Sequence, residues 1–63
     1  MKAYQKMNSL VESKGIKQAF ISEKTGIPKN IVSKILNGDR KFQADEFLAF
    51  CEAINVNPND FRA

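Results

Sequence analysis

The sequence predicts an all-α domain of five short helices. Three observations carry this. Apolar residues recur at helical spacing in successive stretches, as Ala3, Met7, Leu10 and Val11 do at i, i+4, i+7 and i+8. Glycines 15, 26 and 38 each close one such stretch. No segment shows the strict apolar–polar alternation that a strand would need.

The elements follow in order. Residues 3–14 form the first helix, and Gly15 stops it in a left-handed conformation. Gln18 to Lys24 make two turns with Ala19 and Ile21 inward, and Gly26 breaks them. Pro28 opens the third helix, 28–36, at a position where a missing N–H costs nothing. Asn37-Gly38 is its stop. After the loop "DRKFQ", residues 44–54 put Ala44, Phe47, Phe50, Cys51 and Ile54 on one face. Asn57 then caps, Pro58 opens, and Asp60 sits near the positive end of a last helix, about 58–62, that drops Phe61 onto the core. Tyr4, Phe42, Phe47, Phe50 and Phe61 follow burial spacing and read as core or core edge. Cys51 reads as a small buried hydrophobe.

The totals exclude several functions. Residues 1–63 are enough for one small domain, with thin stability that assembly would help. There is no histidine and one cysteine, so no internal disulfide, no zinc site and no Ser-His or Cys-His nucleophile can be built. No cofactor, metal or small-molecule ligand is expected, and an enzyme is not expected. Apolar runs are too short for a membrane span, and the N-terminus lacks a secretion signal. The expected location is the cytoplasm.

Charge is unevenly placed. Residues 14–41 hold seven basic residues against two acidic ones, while residues 42–63 hold Arg62 against four carboxylates. A cationic block in a folded domain attracts polyanions, above all nucleic acid, although it is also what a solvated surface looks like.

The stretch 18–36 has the form of a helix-turn-helix made by helices 2 and 3. Ser22 is small enough for a close helix crossing, Gly26 supplies the turn, and Val32 and Ile35 anchor the second helix, with Ile27 entering from the turn. At 100° per residue, Lys29, Asn30, Ser33, Lys34 and Asn37 fall within an arc of roughly 140°, opposite Ile31, Val32, Ile35 and Leu36. That stripe has amide and ammonium donors and no carboxylate. Such side chains suit base edges in a DNA major groove, and they equally suit water.

Residues 15–61, roughly three quarters of the chain, resemble the Cro/CI-type helix-turn-helix domain of phage and bacterial transcriptional repressors, an XRE-like, lambda-repressor-like fold. "GIKQAFISEKTGIPKNIVSKILNGDRK" aligns with the family's two-helix unit without gaps, and "EFLAFCEAINVNPNDF" with its fourth helix, break and short last helix. The resemblance implies that Lys29, Asn30 and Lys34 face base edges, with Ser33 at the margin. It implies that Gln18, Asn37, Arg40 and Lys41, with loop backbone N–H groups, hold phosphates. It also implies a homodimer through residues 54–62, with Ile54 and Pro58 as candidates. Many members pair an arginine in helix 1 with a glutamate at the end of helix 3; here Val11 and Leu36 stand at those positions, a coherent apolar replacement. Asn55 replaces a usual glycine, Thr25 a usual apolar residue, and Phe20 a polar surface residue.

The reading is a sequence-specific double-stranded DNA-binding regulator, a small Cro-like repressor acting as a dimer on a palindromic operator. With no effector segment expected, it would regulate by occupying DNA. The alternative is a protein-interaction module, antitoxin- or antirepressor-like, that keeps the fold without specific DNA binding; Phe20 favours it.

Overall fold

A computed structural model describes residues 2–61. Four α-helices and a 3₁₀ turn follow one another: α1 (Ala3–Ser13), α2 (Gln18–Thr25), α3 (Lys29–Asn37), α4 (Ala44–Ile54) and η1 (Pro58–Phe61). Helix α1 packs on α3, α2 packs on both α3 and α4, and η1 packs on α4. Among the described residues no helix is long and apolar enough to cross a membrane. Met1 and the last expected helical residue, Arg62, lie outside the described residues.

The fifth helix is the 3₁₀ turn. Four residues cannot build an i→i−4 ladder, so the segment closes with the Asp60 N–H on the Asn57 carbonyl, 2.9 Å. The Asn57 side chain caps it by accepting from the Asn59 N–H at 2.9 Å.

The core is one cluster of Met7, Val11, Ile21, Val32, Ile35, Leu36, Phe50, Cys51 and Ile54. Val11 and Leu36, the apolar replacement for an ion pair, are both in it. Phe61, Phe47, Phe42 and Phe50 form a chain of edge-to-face contacts with ring centroids 4.9–5.5 Å apart, which ties η1 and the α3–α4 loop to α4. The Cys51 thiol is pushed above its ordinary pKa by burial and then by the nearby Asp60 charge, so it stays a protonated, apolar-like group.

Three alanines expected inward, Ala3, Ala19 and Ala44, are exposed. In α1 the ring of Tyr4 takes the inward place that Ala3 was given. It lies against Gly38, where an added Cβ would fall 2.6 Å from the ring. In α2 the inner face is Ile21 with half-buried Gln18, Ser22 and Thr25. Its polar residues hide the true stripe from a hydrophobic pattern.

Candidate nucleic-acid interface

The turn between α2 and α3 is locked by hydroxyls. Ser22 Oγ donates to the Ile27 carbonyl at 2.6 Å, across the turn. Thr25 Oγ1 donates to the Ile21 carbonyl at 2.7 Å and accepts the Ile27 N–H at 3.2 Å. Gly26 lies at φ 76°, the left-handed region that costs L residues about 1–2 kcal/mol. These bonds hold the second helix at a defined angle to the first. In the sequence Ser22 counts only for its size and Thr25 only as the replacement of a usual apolar residue; the hydroxyl bonds were the missed signal.

Helix α3 is anchored by Val32 and Ile35, both fully buried, and by Leu36. Its other side carries Lys29, Asn30, Lys34 and Asn37, all exposed, with Ser33 half-buried at the margin. Gln18, the first residue of α2, is half-buried, and Lys41 is exposed in the following loop. Among the described residues no intramolecular side-chain hydrogen bond involves any of these seven. The exposed ones among them are open to solvent or to a ligand.

The start of α3 reinforces this. Pro28 is the N-cap, at φ −54° and ψ 143°, one residue before the helix and not its first residue as expected. Its carbonyl accepts the N–H groups of Ile31 and Val32, at 2.9 and 3.0 Å. There is no side-chain cap and no acidic residue in the first turn. The amides of Lys29 and Asn30 thus find no acceptor among the described residues, and the positive end of the helix dipole sits under a lysine. The local field favours an anion.

The end of α3 bears on two expectations. The N–H of Gly38 bonds the Ile35 carbonyl at 3.2 Å, and those of Asp39 and Arg40 bond the Lys34 carbonyl at 2.9 and 3.3 Å. These loop amides cap the helix, so they are not free to cradle a phosphate. The side chain of Arg40 is also engaged: its Nη1 is 2.6 Å from Glu46 Oε2 on α4. Glu46 was missed as a site residue because its partner lies across the loop; only its place three residues after Gln43 marked it, and that reads as ordinary helix capping.

One correction concerns Ile54. It is 2% exposed and belongs to the core, so it offers nothing to a partner chain. Pro58 is exposed and borders a shallow groove with Ala3, Phe47 and Phe61. Phe20, 43% exposed, lies beside the Gly15–Lys17 loop with the Lys24 ammonium 5.6 Å from its ring centroid.

A protein-family model described as helix-turn-helix matches residues 8–61. No curated protein and no solved structure matches the chain significantly.

Proposed function

This chain belongs to the helix-turn-helix family, with the all-helical, lambda-repressor-like fold and the general role of a DNA-binding transcriptional regulator, and on that premise we propose that it is a small Cro-like repressor. It binds a specific double-stranded DNA sequence and regulates by occupying it. The observation that supports this is the outer stripe of α3: Lys29, Asn30 and Lys34 exposed, without side-chain bonds among the described residues, and with no carboxylate among them.

In this reading Asn30 pairs an adenine edge, Lys29 and Lys34 donate to guanine O6 or N7, and Ser33 contributes at the margin. Gln18, Asn37 and Lys41 hold phosphates with their side chains, and Arg40 does so with the guanidinium donors that Glu46 leaves free. One such helix reads few base pairs, so specificity calls for a two-fold homodimer on a palindromic operator. Pro58 and the groove beside it are the surface for that dimer.

The test is selection of bound duplexes from a random-sequence pool, followed by the same selection with Asn30→Ala. We expect a palindrome from the wild type. With Asn30→Ala we expect relaxed preference at one position per half-site, a loss of about 1–3 kcal/mol there, and melting within about 0.5 kcal/mol of wild type. An unchanged site profile sinks the assignment of α3. The interaction-module reading, which exposed Phe20 favours, then moves ahead.

A further inference from the structure

We propose that Glu46 is a positioning residue that restrains Arg40 and so lowers affinity for non-specific DNA, an inference that rests on the DNA-binding reading above. The geometry is a doubly held carboxylate. Glu46 Oε1 accepts the Gln43 N–H at 3.2 Å, closing the first turn of α4, while Oε2 takes Arg40 Nη1 at 2.6 Å. Glu46 is fixed by its helix and only 15% exposed at its side chain; Arg40 is on the loop and 35% exposed. The more buried carboxylate, held at both oxygens, therefore sets the direction of the loop arginine.

Two consequences follow from elementary electrostatics. The pair is neutral as a unit, so Arg40 adds little to the long-range pull on a passing polyanion. A phosphate out of register gains Arg40 only by extracting it from Glu46. A phosphate in register can use the remaining donors of the guanidinium, which has five, while the ion pair stays closed. Among the described residues Lys29, Lys34 and Lys41 have no such partner, and they supply the unspecific attraction. Glu46 thus separates a contact that depends on position from charges that do not.

Glu46→Gln isolates the effect. The glutamine amide oxygen still accepts the Gln43 N–H, so the cap of α4 survives, but the charge that holds Arg40 is gone. The readout is affinity for a pool of random 20-base-pair duplexes as a function of salt. We expect several-fold tighter binding at 50 mM salt and a log–log slope steeper by about 0.9, so that the gain shrinks about 3.5-fold by 200 mM. In an Arg40→Ala background the same change should move the slope by less than half as much. Asp39→Asn, which removes a loop carboxylate without an ion-pair partner among the described residues, should also move it less. An unchanged slope in Glu46→Gln overturns the inference. So does an equal shift in the Arg40→Ala background or with Asp39→Asn, because either means charge alone acts. A wild-type chain with no salt-dependent duplex binding overturns the inference together with the reading beneath it, whereas the other failures leave that reading standing.

Discussion

Helices α3 and α4 are of similar length, nine and eleven residues, and both lay an apolar face on the same core. Their free faces and their starts are opposite in kind. Helix α4 begins with Asp45 and Glu46, carboxylates suited to the positive end of a helix dipole, and Glu46 closes its cap. Helix α3 begins with Lys29 and no cap. Lysine in a first turn runs against the dipole by about 0.3–1 kcal/mol, and a missing cap costs about 1 kcal/mol more. Helices α1 and α2 also start without a side-chain cap bond or a first-turn carboxylate, so the missing cap is not special to α3. What sets α3 apart is that its start lies on the cationic stripe, where the proposed function would place an anion.

That comparison can be broken most sharply at the buried side. Leu36 is 1% exposed in the core that also holds Val11. Leu36→Glu alone should destabilise by roughly 3 kcal/mol or more, since it leaves a buried charge unpaired. Val11→Arg combined with Leu36→Glu should recover much of that loss. Chemical denaturation of the two singles and the double measures the coupling; a double no better than the sum of the singles means that the two positions are not neighbours.

The next effect is at the end of α3. Gly38 lies at φ 83° with the Tyr4 ring where a Cβ would go. Gly38→Ala should lower stability by about 2 kcal/mol, from the left-handed backbone and the displaced ring together. In a Tyr4→Ala background the same change should cost only the backbone part, about 1 kcal/mol. An equal cost in both backgrounds would mean that the ring yields freely.

The smallest stability effect tests the start of α3. Lys29→Glu places a carboxylate where α4 has one. Thermal melting should hold or rise by up to about 1 kcal/mol, while duplex affinity collapses. A variant that keeps its affinity would show that the uncapped start is a defect without a function.

Much of this was legible in the sequence. Local grammar sufficed for the helices: glycine and proline positions bounded them, and 3.6-residue spacing identified Met7, Val11, Val32, Ile35, Phe50 and Cys51 as core. The outward face of α3 followed from the same arithmetic, because anchoring one side of a helix leaves only the other for solvent or a ligand. Such properties depend on neighbours three or four residues away, and a sequence displays those neighbours directly.

What tertiary structure alone decided depends on contacts between separate elements. The sequence placed both Ala3 and Tyr4 inward in α1; the space over Gly38, the C-cap of α3, took the Tyr4 ring and left Ala3 exposed. It could not place Ile54 in the core in preference to a partner surface, because an apolar residue at a helix end serves either. Nor could it show that Ser22 and Thr25 hold the turn by their hydroxyls, or that Arg40 is held by Glu46. Hydrogen bonds and ion pairs act over about 3 Å and demand direction. A pattern of residue types carries neither, so the partners of polar groups were settled only when the helices were packed.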